Sequence, residues 1–313
     1  MDLKQLEYFV RVAELGSFTR AAIALDVAQP ALSRQIRLLE VELRQNLLAR
    51  NGRGATPTEA GKLLLEHGRG ILHQVAVARE ELGVARGALA GRVSIGLPPS
   101  LSRLVTVPLT QAFRDKLPQA QLTLTEGFSL VMVDGLRMGN LDMALLYNPE
   151  RSPDMEQTLL HEEELVLISA RTEVPGGTAP KAGKAGKAQA AVSLKDAAAL
   201  PLILPSRPNA FRLLLETETM RIGTQLRIAM EVDGLNGILS LVREGFGHAV
   251  LPAYTLANID HGGALVVRRL QAPCPTSQLT LVRSSRRPAT ETQKVARALL
   301  QDVVLRAIAP YTA

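Results

Sequence analysis

Apolar residues recur at helical spacing through the first ninety positions of this chain and then give way to short apolar strands alternating with helices. Leu3, Leu6, Phe9, Val10 and Ala13 mark one face of an opening amphipathic helix. Ser17 directly follows Gly16 and can cap a second helix beginning at Phe18, in which Ala21 and Ala22 are small enough to let another helix pack close. The run Asp26-Val27-Ala28-Gln29 breaks the pattern, and Pro30 restarts it with a φ suited to a first helical turn. Leu32, Ile36, Leu39 and Leu43 form the buried stripe of this third helix, and Pro30, Ser33, Arg34 and Arg37 its outward face. Leu47–Arg50 reads as a short strand, Asn51-Gly52 is a strong hairpin dipeptide, and Arg53 sits at the tip. Together these make a winged helix-turn-helix.

Thr56-Pro57-Thr58-Glu59 has the form of a capping box with Thr56 as N-cap, Pro57 at the first helical position and Glu59 reaching back. The long helix that follows carries Leu64, Gly68, Ile71, Val75, Ala78, Leu82, Ala85 and Leu89 in alternating steps of four and three, a heptad seam. Such a seam needs a partner, and pairing of two copies supplies one; the blander alternative packs the helix on its own domain. Gly87 and Gly91 mark a hinge. Beyond it the pattern is βαβαβ: strands at 92–97, 121–126 and 142–147, helices at 99–116 and 129–138. A second unit has strands around 165–169, 202–204, 226–232 and 248–251 and helices around 208–220 and 235–244. Strands at 264–270 and 279–283 and a last helix at 288–308 are expected to return to the first unit. The fold class is α/β, with an N-terminal α winged helix-turn-helix, a long linker helix and two Rossmann-like lobes facing a cleft.

The outward face of the third helix suits a major groove. Arginine pairs with guanine O6 and N7, serine bonds bases or phosphates, and Gln29 can read adenine. Arg50 and Arg53 on the hairpin can reach phosphates or a minor groove. Double-stranded DNA is therefore the first partner to consider. The competing reading is a solvated face, with Arg34 paired to Glu40 and Arg37 to Glu40 or Glu42. A net charge of +6 over 313 residues adds mild support, because Lys181, Lys184 and Lys187 in one low-complexity stretch supply half of it. Cys274 alone excludes an internal disulfide and, flanked by Pro273 and Pro275, reads as structural. No apolar run approaches the ~18 residues of a membrane span. The Met1-Asp2-Leu3-Lys4 opening lacks a signal-peptide pattern, so a cytoplasmic location is expected. His67, His73, His161, His248 and His261 are scattered without metal-ligand spacing. Gly245-Phe246-Gly247 follows a helix and so is not a strand-to-helix phosphate turn. No metal, cofactor or enzymatic centre is expected.

The chain resembles the LysR-type transcriptional regulators. Its opening carries the resemblance in Leu6, Phe9, Gly16-Ser17-Phe18, Ala21-Ala22, Leu25, Gln29-Pro30-Ala31-Leu32-Ser33, Ile36, Leu39-Glu40, Leu43, Leu48, Arg50, Thr58 and Ala60-Gly61. Leu48 replaces the usual phenylalanine and Pro57 a frequent leucine, both away from the DNA face. The resemblance implies a winged domain at 1–58, a dimerising linker at 59–90 and an effector domain at 91–313. In that domain, lobe I takes 91–162 and 270–313, and lobe II takes 163–269. It also implies lobes of periplasmic-binding-protein type, a homodimer or dimer of dimers on an interrupted dyad operator, and contact with RNA polymerase. Gln29, Pro30, Ser33, Arg34, Arg37, Arg50 and Arg53 are the expected DNA contacts.

For the cleft, polar residues at helix starts are the candidates, because helix N-termini present free amides to anions. These are Ser100 and Ser102, Ser129, and Ser206 with Arg207 and Asn209; the resemblance adds Tyr147. Each serine could equally be a plain N-cap. A small carboxylate or other anion is the expected effector. The run Gly96-Leu97-Pro98-Pro99-Ser100 resembles the nitrogen-assimilation-control subgroup, which allows a regulator needing no ligand. A secreted solute-binding component would share the lobes but need a signal, and an architectural DNA binder would leave the lobes unexplained. The stretch 176–191, rich in Gly, Ala and Lys, reads as an inserted surface loop.

Overall fold

The computed structural model describes residues 1–51, 54–84, 89–171, 190–257 and 263–311. Arg53, Ala85, Gly87, His261 and residues 176–189 of the Gly-Ala-Lys stretch lie outside the described residues.

Three helices open the chain: α1 (Leu3–Leu15), α2 (Phe18–Ala24) and α3 (Gln29–Leu43). A reciprocal box of Asp2 and Gln5 caps α1, and Gly16 ends it in the left-handed region. The Ser17 hydroxyl accepts from the Arg20 amide at 3.3 Å, as its position after Gly16 leads one to expect. Leu6, Phe9, Leu32, Ile36, Leu39 and Leu47 are fully buried where the helices cross. Side chains of this size contribute about 1.5–3 kcal/mol each when removed from water.

The wing is the hairpin of β1 (Leu48–Asn51) and β2 (Gly54–Pro57), with Asn51 opposite Gly54. Thr56 and Pro57 are consumed in this pairing, opposite Ala49 and Leu48. The N-cap of the next helix is therefore Thr58, not Thr56: the Thr58 hydroxyl accepts from Gly61 N at 3.0 Å. That helix, α4 (Glu59–Val84), runs for 26 residues. Its seam divides. Leu64, Leu65 and Leu72 pack on the N-terminal core, and Gly68 lies so close to α1 that a Cβ there would stand 2.9 Å from Leu6 Cδ1. Beside Leu72, Ile71 is 38% exposed, and farther along Leu82 is 70% exposed.

Among the described residues the remaining chain builds a seven-stranded sheet whose two parts share one strand, and a separate parallel pair of short strands at 202–204 and 228–231. In the first part, β3 (Ala90–Leu97) runs parallel to β4 (Gln119–Glu126) and to β5 (Met143–Tyr147), with α5 (Pro99–Lys116) and α6 (Ser129–Met138) as crossovers. Gly91 holds a φ of +105° just after β3 begins. The long strand β6 (Met155–Ala170) then crosses between the two parts. After it come α7 (Leu194–Ala199), β7 (Leu202–Leu204), α8 (Ala210–Arg221), β8 (Ile228–Glu231), α9 (Leu235–Arg243), β9 (Ala249–Pro252), β10 (Leu265–Arg269), β11 (Thr276–Ser284) and α10 (Glu291–Ile308). The short helix α7, capped by Ser193, has too little periodicity to announce itself in the sequence.

Residues 155–164 of β6 pair antiparallel with β11, which also pairs with β5. Residues 165–170 pair instead with β9 on one side and β10 on the other. The strand at 265–269 thus stays in the second lobe rather than returning with its neighbours as the element order suggested, in keeping with a second lobe of 163–269; its run of Leu265, Val266 and Val267 completes an edge of that sheet. Only β11 and α10 return. No helix among the described residues is long and apolar enough to cross a membrane.

Candidate DNA-reading helix and interlobe cleft

Helix α3 buries Leu32, Ile36 and Leu39 and therefore turns Gln29, Pro30, Arg34 and Arg37 outward. All four are exposed, and Ser33 is half-buried. Arg34 and Arg37 make no ion pair or hydrogen bond among the described residues, because their supposed acidic partners are engaged elsewhere. Glu40 turns away and accepts from the amides of Leu47 and Leu48 at 2.8 and 3.1 Å, tying the start of β1 to α3. Glu42 pairs with the amino group of Met1. The solvated-pair reading fails on these contacts. The helix presents two free guanidinium groups, and the backbone of Arg50 lies in β1 opposite Ala55.

The cleft lies where β3 and β5 of lobe I face α8 and α9 of lobe II. Pro98 and Phe128 stand at the N-caps of α5 and α6 and supply no capping side chain. Ser100 and Ser129 therefore sit inside their helices rather than cap them, and both line the cleft. Asn209 caps α8, its Oδ1 accepting from Phe211 N at 3.0 Å and Arg212 N at 3.3 Å, and lines the cleft as well. The Tyr147 ring of lobe I packs on the Phe211 ring of lobe II, with centroids 4.5 Å apart. Four prolines, Pro98, Pro99, Pro205 and Pro208, complete much of the wall around a free volume of about 60 Å³.

Three expected residues do not join this lining. Ser102 turns along α5 toward Thr106, with their hydroxyls 3.4 Å apart. Ser206 donates its amide to Asp233 at 2.8 Å, and the exposed Arg207 pairs with Glu216 at 2.8 Å. Having an acidic partner in α8 keeps Arg207 on the outer surface.

Behind the cleft the polar chain continues inward. Ser100 Oγ lies 2.9 Å from Tyr147 OH, Tyr147 OH bonds Tyr254 OH, and Tyr254 OH lies 2.8 Å from Glu163 Oε1. Burial pushes the Glu163 carboxyl up to about 8, with the Tyr254 bond opposing it only in part. Burial, joined by the nearby Glu163, likewise holds both tyrosines well above their usual range. Tyr254 and Glu163 escape sequence reading. One follows a strand end after Pro252, the other is the middle of Glu162-Glu163-Glu164, and only the alternation of β6 turns it inward. Elsewhere, burial pushes the Cys274 thiol up to about 11, and its S–H faces the Leu165 carbonyl at 3.5 Å, which fits a structural thiol.

Comparison with known proteins bears on both regions. Residues 3–62 match the bacterial regulatory helix-turn-helix proteins of the lysR family, and residues 86–304 match the LysR substrate binding domain. The chain belongs to the LysR family. It is 35% identical over 311 residues to the nitrogen assimilation regulatory protein nac of Klebsiella aerogenes, covering 98% of this chain and 96% of that protein. The nac protein of Escherichia coli (strain K12) is 31% identical, with 97% and 95% covered. Among solved structures, a full-length OxyR variant from Pseudomonas aeruginosa shares the fold at a TM-score of 0.76 and 23% identity, over 97% of this chain and 95% of that one. CbnR complexed with its target DNA aligns at a TM-score of 0.63 and 26% identity, over 98% and 100%. As a LysR-family protein, this chain is a DNA-binding transcriptional regulator with an effector-binding type of domain. Its relatives are regulators rather than enzymes.

Proposed function

We propose that two copies of this regulator, joined along the exposed part of α4, read an interrupted dyad operator through α3 and the hairpin tip. A small anion held in the interlobe cleft then adjusts DNA bending and contact with RNA polymerase. The observation that carries the reading is the pair of exposed arginines, Arg34 and Arg37, left without acidic partners because Glu40 and Glu42 are bound elsewhere. Unpaired guanidinium groups on a surface helix are ready for bases and phosphates. Gln29, Pro30, Ser33, Arg50 and Arg53 complete the contacting set. The apolar Ile71 and Leu82 support pairing of two linkers, and dimers pair further into tetramers in the same reading.

In functional terms the winged domain is 1–58, the linker 59–90 and the effector domain 91–313, and the protein works in the cytoplasm. The lobe boundary near residue 163 is supported by the change of partners along β6. Ser100, Ser129, Tyr147 and Asn209 are the effector contacts that the cleft supports best.

A second reading is favoured by two observations. The relatives at 31–35% identity are nitrogen assimilation regulators, and the cleft of about 60 Å³ is far below a usual ligand pocket. In that reading abundance alone controls the regulator. A footprint on the DNA upstream of its own gene, with and without a panel of small organic and inorganic anions, separates the two. Protection of an interrupted dyad that shortens or shifts with one compound supports effector control. Protection that no compound alters supports control by abundance, and absence of protection there and at distant sites sinks the DNA-reading assignment.

A further inference from the structure

We propose that Glu163 sets the hydrogen-bonding polarity that Ser100 presents to the interlobe cleft. Glu163 protonated on Oε1 makes Ser100 a donor to an anionic ligand, and ionised Glu163 makes it an acceptor for ligands that donate. This rests on the reading of the cleft as an effector site.

The argument is a count of hydrogens. Ser100, Tyr147 and Tyr254 each own one hydroxyl hydrogen and stand in a single file that ends on Glu163. When Glu163 is a carboxylate it can only accept. Tyr254 must then donate to it, Tyr147 to Tyr254 and Ser100 to Tyr147, and Ser100 is left with lone pairs facing the cleft. When the proton sits on Oε1 the file reverses. Glu163 donates to Tyr254, each tyrosine donates outward, and the Ser100 hydrogen is released toward a ligand. Ser100 and Tyr147 line the cleft, whereas Tyr254 and Glu163 lie behind it, so the file joins the surface to the interior.

The surroundings of Glu163 leave its proton state free to respond. Oε2 has no hydrogen-bond partner among the described residues, and neither does Oγ of Ser277, the residue directly opposite on β11. No fixed donor therefore locks the carboxylate form. The other groups facing this region are Tyr147 of β5, Ser100 of α5 and Tyr254. Arg103, one turn along α5, is bonded to Asn236 of α9. On β6 itself Glu162 and Glu164 alternate to the opposite face, Glu162 holding Gln278 at 2.7 Å, and His161 is half-buried. With the carboxyl lifted to about 8, an anion entering the cleft at neutral pH meets the donor form, and binding near that midpoint draws about half a proton from solvent onto Glu163, rising toward one at higher pH.

Acetate is a probe small enough for this cleft. Calorimetric titrations of the full-length protein with sodium acetate, one pH unit below and one above about 8, test the scheme in the wild type, Ser100→Ala, Glu163→Gln and Tyr254→Phe. The wild type should lose about tenfold in affinity between the two, the ratio of protonated fractions, with heats that depend on the buffer because a proton is taken up. Glu163→Gln, whose amide can donate to Tyr254, and Tyr254→Phe, which cuts the file, should each bind without pH dependence or buffer-dependent heat. An infrared band of a protonated carboxyl, present below that pH and missing in Glu163→Gln, reports the same proton without ligand. Wild-type binding that needs Ser100 but ignores pH overturns the relay and leaves the cleft reading standing. pH dependence that survives in Glu163→Gln places the titrating group elsewhere and also overturns the relay. Acetate binding that never depends on Ser100 removes the cleft reading and this inference with it.

Discussion

Helix α3 and the interlobe cleft are both polar surfaces, yet they treat their polar groups in opposite ways. On α3 the acids are diverted, Glu40 to the wing amides and Glu42 to the amino group of Met1, so that the arginines stay free. In the cleft the polar groups are committed: Ser100 to Tyr147, Asn209 to the amides of α8, Asp233 to Ser206. A surface meant for a polyanion gains from unspent cations, whose counterions are released on contact. A cleft for a small molecule gains from groups already oriented, because ordering them at the moment of binding would weaken it.

The contrast can be broken from the DNA side first. A Cβ at Gly61 would stand 2.0 Å from the Leu47 carbonyl oxygen, and backbone at that distance has to move. Gly61→Ala should therefore destabilise the N-terminal domain by about 4 kcal/mol and abolish operator binding while leaving the melting of the lobes in place. Calorimetric scanning that shows one unshifted transition would refute the close approach. Glu163→Gln acts on the other side. The folded chain keeps the Glu163 proton up to about 8, whereas an unfolded carboxyl loses it near 4.5, so wild-type stability falls as pH rises between those values and levels off above. The glutamine variant should lose that slope and exceed the wild type by about 2–4 kcal/mol above the window, read by denaturant unfolding across pH. Parallel curves for the two proteins would mean that Glu163 is not the group responsible.

Smaller effects sharpen the comparison. Arg34→Ala should weaken specific operator binding by about 1–3 kcal/mol without changing stability, since no partner within the protein is lost. A quantitative gel-shift titration that shows unchanged affinity would remove Arg34 from the contacting set. Ser17→Ala removes the cap of α2 and should lower the stability of the winged domain by about 1 kcal/mol, measured as a small fall in its melting midpoint. No fall would mean that water caps the helix equally well.

The two regions also differed in how well they could be read from the sequence. The faces of α1 and α3, the Ser17 cap and the position of the hairpin follow from local periodicity and turn chemistry, which need no knowledge of the rest of the chain. The crossovers of the first part of the sheet were legible for the same reason, with β5 found one residue late of its expected start. The Thr56 cap misled because Thr56-Pro57 and Thr58-Glu59 offer the same letters, and only pairing with Ala49 decides which threonine is free. The first part of the heptad seam packs inside the N-terminal domain, since Gly68 signals close packing on α1 rather than a thin place in a dimer seam. The cleft resisted most. Ser102 and Ser100 are two residues apart on one helix, so they point away from each other, and the pairs Tyr147–Phe211 and Tyr254–Glu163 meet only through contacts spanning tens of residues.

Strand β6 serves both parts of the sheet without a break, holding β11 through residue 164 and β9 and β10 from residue 165 onward. At 16 residues it is about 50 Å long. The chain crosses between the lobes twice, once along this strand and once through residues 270–275 between β10 and β11. The two lobes therefore share one strand that is hydrogen-bonded in both, so rotating one against the other has to twist or bend that strand. Glu163 sits two residues before the point where that strand passes from one lobe's partners to the other's.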